Sequence, residues 1–300
     1  MTNKNYVIPK RFKLNENNDI SSSMLSFWQN NGFLIIDKFY SNDECRNLTK
    51  RVHELINSHL LEDRVYLQDN SESKYPYFLK NSGNKISFFG EKNIYSNEKS
   101  LNKNKDFNIK EIGHALHDLD PVFYEFSRKR SLAILATSLG LEMPLLTQSS
   151  YILNHSKTDP ENSYKQDSSV FYTEPESCIG FWVALEDTTL EEGCLLTLSE
   201  GHPYHLKKIY NIKDNNLNVF NLNNVNFPKA NVAIESFEGT LIVLSGRLPY
   251  IFKVEDSNSS NHTYKLNIVD GRSKYSEDNI VQGYNGNAFS GFFPKKKFFN

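Results

Sequence analysis

A run of short apolar segments separated by turn residues fills the second half of the chain, and it limits the possible folds more than any other feature. Segments of this length and spacing are typical of the strands of an all-β sandwich or barrel. The predicted strands cover 145–153, 165–172, 178–185, 194–198, 232–237, 239–244 and 263–269. The second half of the chain is therefore predicted to form a β-structure.

Three amphipathic segments precede these strands and are predicted to be helices. Ser41 and Glu44 have the spacing of a capping box at the start of the second segment. Asp120 supplies an N-cap before a first-turn proline in the third segment, which Gly140 ends. Helices followed by many strands predict a mainly β (α+β) fold, in which the helices pack on one face of a barrel or jelly roll.

The two ends of the chain differ from its middle. We expect one domain over 21–280, between a flexible N-terminus over 1–20 and a C-terminal tail over 281–300. The tail ends in PKKKFFN, which combines three lysines with two phenylalanines. A solvated terminus and a contact with a partner or membrane surface are both compatible with this composition.

Charge and cysteine content exclude several classes of function. The 34 Lys and Arg residues against 36 Asp and Glu residues give a net charge of −2, so bulk charge would not attract nucleic acid. Three scattered cysteines form neither a disulfide framework nor a zinc motif. No segment has the roughly 18 apolar residues of a membrane span, and no signal peptide is evident. We expect a soluble intracellular protein, cytoplasmic or associated with the cytoskeleton.

The most specific motifs lie in the middle of the chain. They are EIGHALHD (111–118), KQDSSVFYTEP (165–175), GFWVALED (180–187) and EEGCL (191–195). In this order they resemble the phytanoyl-CoA dioxygenase family, and within it the domain-containing proteins that carry IGHALH and YTEP. The resemblance runs from near Phe27 to about Val269. It implies a double-stranded β-helix, a cupin-like jelly roll, which agrees with the pattern of strands.

The resemblance also implies an activity and its ligands. Members of this family are described as Fe(II)- and 2-oxoglutarate-dependent dioxygenases, whose iron is held by a His-x-Asp pair and a distal histidine. On a strand, residues two apart point to the same face. An arginine eleven residues after the distal histidine binds the far carboxylate of 2-oxoglutarate in this family.

This sequence departs from the family at most of those positions. Lys165 replaces the histidine of His-x-Asp, and Tyr250 replaces the distal histidine, so none of the eight histidines stands at an iron-ligand position. Asp167 is the remnant metal ligand, and Trp182 is a remnant of the co-substrate pocket. The lost 2-oxoglutarate positions are occupied by Glu111, Ser150 and Asn261.

These departures predict a site without iron chemistry. An ammonium donates hydrogen bonds and has no lone pair for a metal, so we expect Lys165 to occupy the space of the metal and neutralise Asp167. No cofactor is expected, and the leading interpretation is a catalytically inactive relative that is a structural or binding component of an assembly with a protein partner. The alternative is a dioxygenase that binds Fe(II) and 2-oxoglutarate through a site rebuilt from Asp167, Tyr250 and a nearby histidine. A third interpretation is a pocket that binds an acyl or carboxylate group without turnover.

Overall fold

The structure is a computed structural model of the chain. It describes residues 6–60, 63–66, 82–92, 107–153, 164–191, 193–199, 202–213, 216–252, 262–283 and 289–294. The helices are α1 (Ser22–Asn31), α2 (Asn42–Ser58), α3 (Leu116–Leu119), α4 (Pro121–Ser127) and α5 (Arg130–Ser138). None of the described helices is long and apolar enough to cross a membrane.

The helix-capping signals of the sequence are confirmed. Ser41 and Glu44 form the capping box of α2, in which each side chain bonds the other residue's backbone N–H. The Asp120 carboxylate accepts hydrogen bonds from two backbone N–H groups at the start of α4. Gly32 ends α1 with φ of 72°, a left-handed conformation that glycine adopts without steric cost.

The predicted helix after Asp120 is divided into α4 and α5. The chain leaves the helical conformation at Arg128 and Lys129, whose ψ values are 29° and 137°. The Arg128 guanidinium turns into the interior, where it pairs with Asp118 at 2.5 Å and donates to the backbone oxygen of His117. The break between the two helices therefore allows the Arg128 guanidinium to reach its buried partners.

Fifteen strands are present in the described part of the chain. They are β1 (Phe33–Ile36), β2 (Arg64–Tyr66), β3 (Ile86–Lys92), β4 (Phe107–His114), β5 (Pro144–Ile152), β6 (Thr173–Glu174), β7 (Ile179–Ala184), β8 (Leu195–Thr197), β9 (Lys208–Lys213), β10 (Asn216–Asn221), β11 (Val232–Ile234), β12 (Leu241–Ser245), β13 (Tyr250–Phe252), β14 (Thr263–Asp270) and β15 (Lys274–Tyr275). An eight-stranded sheet has the order β1-β12-β7-β14-β5-β4-β3-β2, and a smaller sheet has the order β11-β8-β13. Two short pairs, β9 with β10 and β6 with β15, complete the jelly roll.

The two faces of the large sheet carry different clusters of apolar side chains. Phe181 and Val183 of β7 belong to the cluster under the helices, whereas Trp182 between them belongs to the cluster shared with the small sheet. Phe123 of α4 contacts Tyr264 of β14 on the helix side, with ring centroids 5.3 Å apart. The period of two along each strand therefore decides which residues face the interior of the jelly roll.

One predicted strand is wrong. Residues 165–172 do not form a strand: only Lys165 pairs, through two backbone hydrogen bonds with Tyr250. Asp167–Ser169 is instead a 3₁₀ turn, because the backbone oxygen of Asp167 accepts the N–H groups of Val170 and Phe171. The other six predicted strands are present with ends shifted by a few residues.

Residues on both sides of 21–280 pack on the jelly roll. Phe12 is buried, and its backbone N–H and oxygen bond Ile35 and Asp37. Val281 and Phe292 are also buried. The described parts of the two terminal segments thus contribute to the core, while the PKKKFFN sequence lies mostly outside the described residues.

Candidate functional site

A cavity of about 620 Å³ lies on the inner face of the large sheet. Strands β4, β5, β7 and β14 supply its floor, and β13, β9 and residues 164–171 supply the opposite wall. Six of the seven residues assigned to the site from sequence line this cavity: Glu111, Ser150, Lys165, Asp167, Trp182 and Tyr250. The seventh, Asn261, lies outside the described residues.

The pairing of β14 explains how its side chains reach the cavity. Lys265 lies opposite Trp182 of β7 and opposite Ser150 of β5. Residues directly opposite each other project to the same face of a sheet, so these three side chains form a row across the cavity floor. Asn267, two residues further along β14, lies opposite Gly180 and projects to the same face.

Asp167 is the centre of a buried hydrogen-bond network. Its Oδ1 accepts from the hydroxyl of Tyr250 at 2.7 Å and from the ammonium of Lys265 at 2.6 Å. Its Oδ2 accepts from the side-chain amide of Asn267 at 2.9 Å. Gly180 makes room for this carboxylate, since a Cβ at that position would lie 2.5 Å from Oδ2. Both carboxylate oxygens are therefore engaged by the protein itself.

The cation that neutralises Asp167 is Lys265, and the expectation that Lys165 does so is wrong. The Lys265 ammonium also lies 4.6 Å from the centre of the Trp182 ring, a favourable cation–π contact. A signal for Lys265 exists in the sequence. Thr263, Lys265 and Asn267 alternate with apolar residues in a predicted core strand, so a lysine had to face the interior with a polar partner.

Lys165 has a different environment from the one predicted. Its backbone is fixed to Tyr250, but its side chain is exposed to the cavity. Two carboxylates line the same cavity, but each contacts another residue: Asp167 pairs with Lys265, and Glu111 pairs with His114. Partial loss of hydration around its ammonium group and the positive charge of Lys265 lower the pKa of Lys165, although Glu111 and Asp167 oppose this shift.

Glu111 remains an anion at the position where the family has a lysine. Burial alone would raise its pKa, but hydrogen bonds from His114 and Ser150 and the charge of Lys165 lower the pKa to about 2. Its Oε1 lies 3.3 Å from Nε2 of His114. This negative charge repels a dicarboxylate at this end of the cavity.

Tyr250 is a hydrogen-bond donor in this site. Burial raises its pKa well above the ordinary value, and the charge of Asp167 raises it further. The phenol therefore stays protonated, and its hydroxyl donates a hydrogen bond to Asp167. A phenolate ligand for a metal, as the rebuilt site would require, does not fit this environment.

The residues at the family's iron position do not fit Fe(II). Iron of this class needs two imidazoles and a carboxylate with free lone pairs. Here Lys165 and Tyr250 are donors, and Asp167 already accepts three hydrogen bonds. In the part of the chain that the structure describes, no group of three His, Cys, Asp or Glu side chains could hold a metal ion.

The two histidines of the IGHALH motif lie in different secondary-structure elements. His114 ends β4 and His117 lies in α3, so the two rings do not share a helical face. The His117 ring is buried and hydrogen-bonds the Ser149 hydroxyl at 2.8 Å. His262 faces the helix side of the sheet, as its parity predicts, and its ring contacts the hydroxyl of Tyr151 at 2.8 Å.

Solved structures similar to this one share its fold. The crystal structure of EctD from S. alaskensis with bound Fe aligns with a TM-score of 0.61 and 13% identity, over 92% of this chain and 87% of that one. The epimerase SnoN in complex with Fe3+, alpha ketoglutarate and nogalamycin RO aligns with a TM-score of 0.57 and 12% identity, over 85% and 86% of the chains. At these identities the likeness establishes the jelly roll.

Sequence comparison identifies the family. Residues 28–221 match the family Phytanoyl-CoA dioxygenase (PhyH). Phytanoyl-CoA dioxygenase of Arabidopsis thaliana is 34% identical over 265 residues, which cover 88% of this chain and 94% of the relative. Phytanoyl-CoA dioxygenase domain-containing protein 1 of Bos taurus is 36% identical over 196 residues, 61% of this chain and 66% of the relative. The chain belongs to the phytanoyl-CoA dioxygenase family.

Proposed function

We propose that this protein is a catalytically inactive member of the family that acts as a binding or structural component of an assembly. The observation that carries the proposal is that both carboxylate oxygens of Asp167 accept hydrogen bonds from other side chains. The only family iron ligand retained in the sequence is engaged by Tyr250, Lys265 and Asn267. The carboxylate thus stabilises the fold where the family would use it for a metal.

The energy of this arrangement supports the proposal. Asp167 and Lys265 are 4% and 15% exposed at their side chains, so the pair is largely removed from water. Separating such a buried pair costs about 3–5 kcal/mol, because it leaves an uncompensated charge. A metal ion at Asp167 would have to offset this cost, and the described residues offer it no group of three His, Cys, Asp or Glu side chains.

Anaerobic titration of the purified full chain with Fe(II) and 2-oxoglutarate tests the proposal. We expect no stoichiometric metal binding by equilibrium dialysis and no visible charge-transfer band of an iron–2-oxoglutarate complex. Stoichiometric iron with such a band would overturn the proposal in favour of a working Fe(II)- and 2-oxoglutarate-dependent dioxygenase.

A set of restoring variants shows which residues exclude the metal. The triple variant Lys165→His, Tyr250→His and Asn261→Arg brings back the family's ligand types, but it leaves the Lys265 ammonium on Asp167. We expect iron binding only when Lys265→Ser is added to these three. Lys265→Ser alone is the matched control and should bind no iron, since it supplies no imidazole.

Exposed apolar side chains on β10 support a role in an assembly. Leu217, Val219 and Phe220 are 38%, 50% and 50% exposed, and among the described strands β10 pairs only with β9. An exposed apolar edge strand is a surface suited to pairing with another chain. Such a partner fits the cytoplasmic or cytoskeleton-associated location that we propose.

Purification of the tagged chain from its own cell tests this part of the proposal. We expect the wild-type chain to elute from size-exclusion chromatography in a defined complex that crosslinking also detects. The Val219→Lys variant should not form this complex. Leu119→Lys, which changes a 41% exposed leucine in α3, outside the β9–β10 pair, should leave the complex intact. A monomeric, partner-free protein would contradict the assembly role.

A further inference from the structure

Two ammonium groups in the cavity form no ion pair with a carboxylate of the described residues. Lys165 and Lys208 both line the cavity, and within the described chain neither takes part in an ion pair. The Lys208 ammonium lies 4.8 Å from the centre of the Tyr210 ring, which stabilises the cation without neutralising it. These charges are not needed by the Asp167 network, which already has its own cation in Lys265.

The backbone holds both lysines in place. Lys165 is anchored to Tyr250 by backbone hydrogen bonds of 2.9 and 3.0 Å. The next side chain, Gln166, accepts from the backbone N–H of Lys207 at 2.9 Å. This bond joins the segment that carries Lys165 to the segment that carries Lys208, and both lysines line the cavity.

The balance of charge in the cavity favours a ligand with one negative charge. Asp167 and Lys265 neutralise each other. Among the described residues that line the cavity, Lys165 and Lys208 add two positive charges against the one negative charge of Glu111, so one positive charge remains. A second carboxylate on the ligand would approach Glu111 and be repelled.

Apolar side chains also line the cavity. Phe89, Phe171, Ile280 and Val281 contribute to its walls and are largely buried. The volume of about 620 Å³ lies within the range of small-molecule sites, which combine apolar walls with a few polar groups. The cavity therefore matches a molecule with an apolar body and one charged end.

We propose that this cavity binds an amphipathic monocarboxylate without a metal, with the carboxylate on the Lys165 ammonium and the apolar body against Phe89 and Phe171. The inference rests on the proposed function, since it uses Lys165 as a cation at the position where a working dioxygenase has an iron ligand. It adds a ligand class and the residue that selects it. No bond is made or broken in the ligand.

Isothermal titration of the EDTA-treated full chain with octanoate tests the inference. Octanamide is the neutral counterpart and octylammonium the positive one. Loss of a hydrogen bond to a charged group corresponds to about a tenfold or larger change in affinity. We expect octanamide to bind at least tenfold more weakly than octanoate, and octylammonium not to bind measurably.

Three variants assign the effect to Lys165. Lys165→Gln should weaken octanoate at least tenfold, and Lys165→Arg should keep the affinity within about threefold, because the positive charge is retained. Lys213→Gln is the matched control: this lysine is exposed at the end of β9 and does not line the cavity. It should leave octanoate binding unchanged.

Several results would overturn the inference. They are the absence of octanoate binding at millimolar concentration, equal affinity for octanoate and octanamide, and unchanged octanoate affinity in Lys165→Gln. If Lys165→Gln does not fold, the comparison of octanoate with octanamide on the wild-type chain decides. A wild-type chain that binds neither octanoate nor iron refutes only this inference, whereas iron uptake refutes the proposed function.

Discussion

Lys265→Met removes the positive charge beside Asp167 while keeping a side chain of similar length. The Asp167 carboxylate then remains buried with two neutral donors, Tyr250 and Asn267, in place of an ammonium at 2.6 Å. Breaking a buried ion pair from one side costs about 3–5 kcal/mol. Because the two neutral donors remain, we expect a loss near the lower limit, about 3 kcal/mol in the free energy of unfolding.

Urea unfolding of a double-mutant cycle measures this value. The cycle consists of the wild type, Lys265→Met, Asp167→Asn and the double variant. Each single variant leaves one buried charge without its partner, whereas the double variant leaves none, so the double variant should lose less than the sum of the two single losses. We expect a coupling energy of about 2 kcal/mol or more between the two positions.

An exposed ion pair provides the control. Arg46 and Asp43 also approach to 2.5 Å, but their side chains are 67% and 89% exposed. Arg46→Met should therefore leave the unfolding midpoint unchanged within error. A loss below about 1 kcal/mol in Lys265→Met, or strict additivity in the cycle, would refute the view that Lys265 is the buried counterion of Asp167.

Other predictions follow from the same structure. Gly180→Ala places a Cβ 2.5 Å from Asp167 Oδ2 and should destabilise the fold by about 1–3 kcal/mol in urea unfolding. Burial lowers the pKa of His117 to about 4, so the unfolded chain binds more protons between pH 6.5 and 4. The free energy of unfolding should fall by about 3 kcal/mol from this residue as pH drops through that window, and His117→Gln should remove that slope. The pKa of Glu111 is lowered to about 2, so its stabilising effect is present above pH 4.5 and is lost as pH falls towards 2. The stability difference between wild type and Glu111→Gln should therefore shrink between pH 5 and pH 3, and a constant difference would contradict the pairing of Glu111 with His114.

Much of the fold could be predicted from local sequence. The capping box of Ser41 and the proline-preceding N-cap at Asp120 act within one helical turn, so their signals survive in any tertiary context. Apolar segments at regular spacing identified six of the strands. The 3₁₀ turn at Asp167–Ser169 could not be predicted, because the sequence of a short segment does not reveal which of its backbone groups find partners in another strand.

The amino-acid sequence by itself places a lysine and a tyrosine, Lys165 and Tyr250, where the resemblance to the family implies two iron-binding histidines. Only the tertiary structure decided which side chains engage Asp167. Lys265 is 98 residues from Asp167, and it reaches the carboxylate because β14 lies between β5 and β7 in the large sheet. The identity of a residue is a local property, but the partner of a buried charge depends on the order of the strands, which is fixed by contacts distributed over the whole chain.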